Sequence, residues 1–291
     1  LVGLVLVAIA GAGGFAAYQW LRKHPELTKQ LDPSAPQTRG TAAVVPTVRF
    51  TDVTAASGVR FTHANGATKH KLLPETMGGG VAVLDYDGDG LPDLLFVNSC
   101  DWPGHGNPAA KSPPQTLALF RNKGNLTFEN VTAAAGLNVT LYGMGVAVGD
   151  YDNDGDLDWF VSSVWDPNGV AESNWGVTGN RLYRNAGNGT FADATDAAGV
   201  RQGYWGWGAT FADLNNDGFL DLVHVNGWGL ATDAKSAEFH ADPTRVFVAQ
   251  GDGTFVESAA SLGAADTGQG RGVVAFDYDR DGDLDLFIAN N

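Results

Sequence analysis

The sequence predicts an all-β fold, a β-propeller of four-stranded blades with a hydrophobic helix at its N-terminal end. A unit of about 64 residues recurs along the chain. Each copy contains short apolar runs that are separated by turns rich in Gly, Asn and Asp. Glycine is abundant, with 39 of the 291 residues. Repeated units of four short strands are the composition of propeller blades. A solenoid or an array of separate modules is the structural alternative.

The first half of each unit predicts a strand, an Asp-rich loop and a second strand. The segment after Gly80 reads VAVLDYDGDGLPDLLFVN, and related segments follow Gly145, Gly208 and Gly272. The runs VAVL and DLLFV are almost continuously apolar. Such runs are typical of strands that neighbouring sheets cover on both faces.

The second half of each unit predicts another hairpin. Its copies begin at Leu119, Leu182 and Val246, and their Gly-Asn or Gly-Asp turns are hairpin signals. The segment FTDVT, which begins at Phe50, matches the fourth strand of a unit, so we expect it to complete a blade. Only two strands of the fourth unit precede Asn291. We therefore expect the chain to be a fragment of a larger ring at both ends.

A Gly-x-Gly pattern precedes the first strand of every unit. No helix follows it, so it is not a dinucleotide-binding motif. Crowding of the innermost strands at the propeller axis explains the glycines. The residue between each pair of glycines should then line the mouth of the central channel, and these residues are Gly79, Met144, Trp207 and Arg271.

Each Asp-rich loop follows the pattern D-x-[DN]-x-D-G-x-x-D. Oxygen ligands at alternate positions, with glycine at the sixth for a sharp turn, are typical of a Ca²⁺ loop. The loop is not an EF-hand, because position twelve lacks glutamate and the flanks have strand character. Bare Asp/Gly turns are the alternative, and Mg²⁺ is disfavoured because it keeps its waters. The predicted side-chain ligands are Asp85, Asp87, Asp89, Asp93, Asp150, Asp152, Asp154, Asp158, Asp213, Asn215, Asp217, Asp221, Asp277, Asp279, Asp281 and Asp285.

The charge balance supports a bound cation and excludes some partners. The chain carries 18 Lys and Arg against 33 Asp and Glu, a formal charge of -15. Carboxylates packed so densely in the loops would repel one another without a cation. An acidic surface also disfavours nucleic acid and anionic membranes as partners.

The N-terminal region predicts an extracytoplasmic location. Residues 1–21 carry no charge and read as a membrane anchor, with a cleaved signal peptide as the alternative. Residues 22–47 read as a linker rich in Pro, Thr and Ala. The folded domain should occupy residues 48–291. We expect a periplasmic or cell-surface protein that is anchored by residues 1–21, or a secreted one if they are cleaved.

These motifs resemble the FG-GAP/VCBS repeat family, which includes the blades of integrin α-subunits. The stretches FTDVTAASGVRFTH from Phe50 and LPETMGGGVAVLDYDGDG from Leu73 are closer to the cartilage acidic protein-like family. The resemblance covers residues 48–291. It implies a seven-bladed propeller, calcium in the first hairpin loop of a blade, and a role in adhesion or ligand binding. The chain has fewer blades than that ring and lacks the ASPIC/UnbV domain of many bacterial members.

We expect a calcium-binding module for adhesion to a protein or carbohydrate ligand, with structural calcium. The alternative is a propeller-based enzyme, a polysaccharide lyase or hydrolase. The sequence shows no Ser-His-Asp pattern, HExxH or phosphate loop, so no catalytic residue is assigned. Tryptophans lie in the long connections on the face opposite the calcium loops, where they either contact a ligand or cap the core between blades. The candidate ligand-binding residues are Met144, Trp165, Trp207, Trp228 and Arg271.

Overall fold

The structure, a computed structural model, describes residues 49–67, 75, 78–101, 116–164, 179–229, 237 and 239–291. The chain divides into two compact units, residues 1–51 and residues 52–291, and all described strands lie in the second. The predicted hydrophobic helix of residues 1–21 and the predicted linker of residues 22–47 lie outside the described residues. Among the described residues, no helix has the length and apolar character needed to cross a membrane.

The described strands form four antiparallel sheets that follow one another along the chain. Sheet 1 contains β1 (Val81–Leu84), β2 (Asp93–Phe96), β3 (Ala118–Asn122) and β4 (Phe128–Asn130). Sheet 2 contains β5 (Gly143–Gly149), β6 (Asp158–Ser163), β7 (Arg181–Asn185) and β8 (Phe191–Asp193). Sheet 3 contains β9 (Gly206–Ala212), β10 (Asp221–Asn226), β11 (Arg245–Ala249) and β12 (Phe255–Glu257). Sheet 4 contains β13 (Gly270–Phe276) and β14 (Asp285–Asn290).

Within each sheet, every strand pairs with the next strand in the chain, so the predicted order of two successive hairpins is confirmed in sheets 1, 2 and 3. The first hairpin of sheet 1 pairs Val81 with Phe96 and Leu84 with Asp93, and the Asp-rich loop joins these two strands. All residues of β6 and β10 are buried. The run VAVL was predicted to be covered on both faces, but this prediction was wrong: Val81 and Val83 of β1 are exposed, because no sheet of the described residues packs on that face. This all-β arrangement is consistent with propeller blades.

The hydrophobic cores lie between consecutive sheets rather than inside one sheet. Leu95 of sheet 1 shares a buried cluster with Trp159 of sheet 2. Phe160 of sheet 2 shares the next cluster with Phe247 of sheet 3. Sheet 4 packs on a further cluster that contains Val223 of sheet 3. Each sheet therefore needs the neighbouring sheet to bury its apolar side chains, so the units are not separate modules.

The first and last sheets each leave an apolar face exposed. Val81 and Val83 of β1 are 58% and 62% exposed. On sheet 4, Val274, Phe276 and Phe287 are 52%, 47% and 62% exposed. The corresponding faces of the middle sheets are covered by the neighbouring sheets.

The innermost strands approach one another closely at the Gly-x-Gly segments. The amide of Gly80 donates to the carbonyl oxygen of Met144 across 2.7 Å. A Cβ atom added to Gly80, Gly145 or Gly208 would lie within 3.0 Å of the neighbouring sheet. Real Cβ atoms do not approach so closely, so the predicted crowding at these glycines is confirmed.

The single-turn helices whose full bounds lie in the described residues are α1 (Thr54–Ser57), α2 (Thr195–Ala198) and α3 (Ala259–Leu262). Each ends at a glycine with left-handed backbone, such as Gly199 with φ 78°. The segment FTDVT, residues 50–54, was predicted to form a strand, but residues 50–53 have no regular secondary structure and Thr54 begins α1. That prediction was wrong because a fourth strand needs a third strand beside it. Among the described residues, no strand pairs with this segment.

Candidate metal centre

Each Asp-rich loop closes around the carboxylate of its first aspartate. Asp85 accepts hydrogen bonds from the amides of Asp89 at 3.1 Å and Gly90 at 2.8 Å. The first aspartates of the other loops, Asp150, Asp213 and Asp277, make the same pair of bonds. The sixth-position glycines have φ between 84° and 99°, which a side chain would strain. These local hydrogen bonds and glycines therefore define the loop conformation without a bound ion.

The ninth-position aspartate joins the loop to the next hairpin of its own sheet. Asp158 is fully buried and accepts from the amides of Tyr151 at 3.1 Å and Asn185 at 2.7 Å. Burial, followed by the charges of Asp152 and Asp154, raises the pKa of Asp158 to about 7. Burial also raises the pKa values of Asp93 and Asp221. A nearby positive charge would stabilise the ionised form of these buried carboxylates.

Three loops bring carboxylate oxygens close enough to share one ion. In each, one oxygen of the first, third and ninth aspartates lies within 4.8 Å of the others. The three groups are Asp85, Asp87 and Asp93; Asp150, Asp152 and Asp158; and Asp277, Asp279 and Asp285. The fifth-position aspartates instead accept the seventh-position amide, as Asp89 does from Leu91 at 2.9 Å. The structure thus brings together three of the four predicted side chains in each of these loops.

Two buried oxygens in these groups have no hydrogen-bond donor among the described residues. The Asp-rich loops are numbered along the chain as loop 1 (residues 85–93), loop 2 (150–158), loop 3 (213–221) and loop 4 (277–285). The two oxygens are the Oδ1 atoms of Asp87 and Asp152, the third-position aspartates of loops 1 and 2. A buried anionic oxygen without a donor is costly unless a cation meets it. Carboxylate oxygens are also the donors that Ca²⁺ prefers. The residues present therefore fit a hard divalent cation.

Two arginines that the sequence prediction did not assign lie against the same loops. Arg121 on β3 contacts Asp87 at 2.6 Å and Asp89 at 3.0 Å. Arg184 on β7 contacts Asp152 at 2.5 Å and Asp154 at 2.7 Å. The signal in the sequence was the Arg-Asn pair that ends the third strand in two of the three complete units.

The third loop has the same backbone but different side chains. Asn215 stands at its third position, and its Nδ2 donates to Oδ2 of Asp217 at 2.8 Å. Asp221 accepts from the amides of Leu214 in the loop and Ala249 on β11, as the ninth-position aspartates of the first two loops accept from the matching amides of their sheets. The residue in the place of Arg184 is Val248, which the strand register puts opposite Val256.

Neighbouring loops are also bonded to one another through the fourth position. Nδ2 of Asn153 donates to the Gly218 carbonyl oxygen at 3.0 Å. Nδ2 of Asn216 donates to Oδ1 of Asp283 at 2.8 Å. Both asparagines have φ 57°, a left-handed conformation that asparagine tolerates. Loop 1 has Gly88 at this position and so has no such side chain.

Of the candidate ligand-binding residues, Met144, Trp207 and Arg271 lie at the ends of the inner strands opposite the Asp-rich loops, and Trp228 follows β10. Met144 and Trp207 are buried, and Nε1 of Trp207 donates to the Gly227 carbonyl oxygen at 2.7 Å. The guanidinium of Arg271 lies 4.4 Å from the centre of the Trp207 ring. Trp228 is half-buried, with its ring centre 4.2 Å from that of Trp205. The fifth candidate, Trp165, lies outside the described residues.

The repeats match a known family. FG-GAP-like repeats match residues 85–161, 170–224 and 234–288. The chain belongs to the FG-GAP-like repeat family. These FG-GAP-like segments contain all four Asp-rich loops, and the resemblance drawn from the residues is confirmed.

Curated relatives extend well beyond the length of this chain. Cartilage acidic protein 1 of Xenopus tropicalis is 28% identical over 254 residues, 83% of this chain and 35% of the relative. Cartilage acidic protein 1 of Mus musculus is 30% identical over 217 residues, 73% of this chain and 29% of the relative. This FG-GAP-like chain therefore spans about a third of the length of the relatives it matches.

One solved structure is similar to this chain at a low level. It is an Agrocybe aegerita lectin described for its recognition of non-reducing terminal N-acetylglucosamine. The alignment covers 72% of this FG-GAP-like chain and 59% of the lectin, with 17% identity and a TM-score of 0.31. A likeness at this level carries no argument about fold or ligand.

Proposed function

We propose that this chain is an extracytoplasmic calcium-binding module for adhesion to a protein or glycan ligand. The observation that carries the calcium proposal is the grouping of buried carboxylate oxygens in the Asp-rich loops. In loops 1 and 2 the third-position oxygens, Oδ1 of Asp87 and Oδ1 of Asp152, are buried without a donor among the described residues. The first, third and ninth aspartates would hold the ion. The ion would supply positive charge that offsets their repulsion and so stiffens the loop.

The calcium is proposed to be structural because the ninth-position aspartate of each loop in sheets 1, 2 and 3 also bonds the second hairpin of its sheet. Asp93, for example, accepts from the amide of Tyr86 in its own loop and from that of Asn122 on β3. A cation held by Asp93 would therefore fix the first hairpin against the second. Extracellular modules of this kind work with dissociation constants of roughly 0.1–1 mM, which suits a location outside the cytoplasm.

The four sheets are proposed to be consecutive blades of a propeller, with the seven-bladed ring that the resemblance implies. Two features support this. The inner strands converge at Gly80, Gly145 and Gly208. The exposed apolar faces of sheets 1 and 4 could receive further blades, because burying such faces is favourable.

The proposed ligand surface is the face opposite the calcium loops, around the half-buried Trp228 and Arg271, with the buried ring of Trp207 beneath Arg271. Aromatic rings and a guanidinium together suit a sugar ring or a protein side chain. Glycan-array binding of the wild-type chain, compared with the Trp228→Ala variant, tests this surface. Equal binding by both proteins would place the ligand elsewhere.

Thermal unfolding with calcium and with excess EGTA tests the calcium proposal. At free calcium 100 times the dissociation constant, one site contributes about 2.7 kcal/mol to the free energy of unfolding. We expect calcium to raise the Tm by at least about 5 °C, since 1 kcal/mol shifts the Tm of a chain of this size by roughly 2–4 °C. Magnesium at the same concentration should have a smaller effect. The Asp150→Ala variant should lose part of the calcium-dependent rise, and no rise in the wild-type protein would refute the proposal.

A further inference from the structure

Arg121 and Arg184 each bridge two carboxylates of one Asp-rich loop. Arg184 reaches Oδ2 of Asp152 at 2.5 Å and Oδ2 of Asp154 at 2.7 Å. Arg121 reaches the matching oxygens in loop 1. Each guanidinium holds the Oδ2 atom of the third-position aspartate, whose Oδ1 atom remains buried without a donor. The arginine therefore shares that carboxylate with the proposed ion but does not take the place of the ion.

The third loop reaches the same arrangement without a guanidinium. Its third-position residue is Asn215, whose amide nitrogen donates to Oδ2 of Asp217 at 2.8 Å. In loop 2 the equivalent oxygen, Oδ2 of Asp154, is the one that Arg184 contacts. The third unit therefore lacks both residues of the pair: Asn215 replaces the third-position aspartate, and Val248 stands where the second unit has Arg184.

The two arrangements carry the same formal charge. Loops 1 and 2 each have four predicted carboxylate ligands and one guanidinium, which leaves three negative charges. Loop 3 has three carboxylates and an amide among its predicted ligands, and Val248 is neutral, which also leaves three. Changing only one member of the pair would leave four negative charges or two.

We propose that Arg121 and Arg184 are positioning residues that offset one ligand carboxylate and thereby limit the calcium affinity of loops 1 and 2. This inference rests on the calcium binding proposed above. Without the guanidinium, the third- and fifth-position carboxylates repel each other in the calcium-free loop. A bound cation relieves that repulsion, so an uncompensated loop binds calcium more tightly and is less stable without it.

Calcium titration by isothermal calorimetry on the whole chain tests the proposal. We expect the Arg121→Val/Arg184→Val variant to bind at two of its sites about tenfold more tightly, as one extra negative charge beside a divalent cation predicts. Its urea midpoint in EGTA should fall relative to the wild-type protein. A control variant, Lys123→Val/Arg201→Val, removes two cations that pair with Glu129 and Asp196 away from the loops. It should leave both dissociation constants and stoichiometry unchanged.

A compensated variant distinguishes charge offset from a general structural role. Adding Asp87→Asn and Asp152→Asn to the double arginine variant recreates the side chains of loop 3, and both readouts should return towards wild type. Unchanged or weaker calcium binding by the double arginine variant would overturn the proposal, because an arginine that only supports the fold does not limit affinity.

The same measurements separate this inference from the proposed function. A wild-type chain with neither calcium-dependent heat nor a calcium-dependent rise in Tm would refute calcium binding itself. A wild-type chain that binds calcium as tightly as the double arginine variant would refute only the role of the arginines. The charge pairing can be tested without calcium. It is supported if adding Asp152→Asn to the Arg184→Val variant restores the urea midpoint in EGTA. Failure to recover it would count against that pairing.

Discussion

Substituting Gly145 with alanine tests the close approach of the inner strands. An added Cβ would lie within 3.0 Å of the Trp207 carbonyl oxygen, and that backbone atom cannot rotate away. Overpacking of this kind costs about 1–3 kcal/mol. Replacing glycine in the unfolded chain offsets about 0.4–1 kcal/mol of that cost. We therefore expect Gly145→Ala to lower the free energy of unfolding by about 1–2 kcal/mol.

Gly272 provides the matched control, because it holds the same place in the fourth repeat. A Cβ there meets no atom within 4 Å, and neither glycine has a positive φ. Gly272→Ala should therefore be neutral or stabilise the chain slightly. Urea unfolding in saturating calcium, followed by tryptophan fluorescence of buried residues such as Trp159, measures both variants. Equal effects of the two substitutions would refute the crowding argument.

Three further predictions concern other buried groups. Full burial, followed by the charge of Arg245, lowers the pKa of His224 from 6.5 to about 3. The stability that neutral His224 contributes is therefore present above pH 6.5 and decreases as the pH falls, because the unfolded chain then binds a proton that the folded chain does not. The loss at pH 5 is about 2 kcal/mol, and urea midpoints at pH 7 and pH 5 should show it in the wild-type protein but much less in His224→Phe. Burial raises the pKa of Cys100 to about 11, so iodoacetamide should alkylate it roughly 100-fold more slowly at pH 8 in the folded protein than in urea. Asn185 donates to the Tyr86 carbonyl oxygen of the neighbouring sheet at 2.8 Å, so Asn185→Ala should lower the free energy of unfolding by about 1–3 kcal/mol. The loss should exceed that of Asn122→Ala, because among the described residues the Asn122 side chain bonds only within its own sheet. Equal losses would contradict a role between sheets.

The repeat and its hairpins could be predicted from the sequence because both are local properties. Strand character, turn residues and the spacing of the aspartates lie within about 20 residues of one another, and local patterns of this kind determine hairpins. The prediction failed at residues 50–53, which match a fourth strand in sequence. A strand forms only beside a partner, and the presence of a partner is not a local property.

The predicted loop ligands also depend partly on local sequence and partly on distant segments. The sequence determined which residues stand at alternate positions of each loop and where glycine permits the turn. It did not show that the fifth-position carboxylate of Asp89 would bond its own backbone and Arg121. Arg121 is 32 residues away along the chain and reaches Asp89 only because β3 pairs beside β2.

The sequence by itself determined the strand order within each sheet and the four carboxylate-rich loops, because hairpin pairing and turn chemistry depend on neighbouring residues. Only the tertiary structure decided which residues are buried between sheets and which charges meet. Trp207 and Met144 were expected at an open channel mouth, and in the structure both are buried beside neighbouring strands. The physical reason is that burial and ion pairing depend on segments far apart in sequence, which the packing of one sheet on the next brings together.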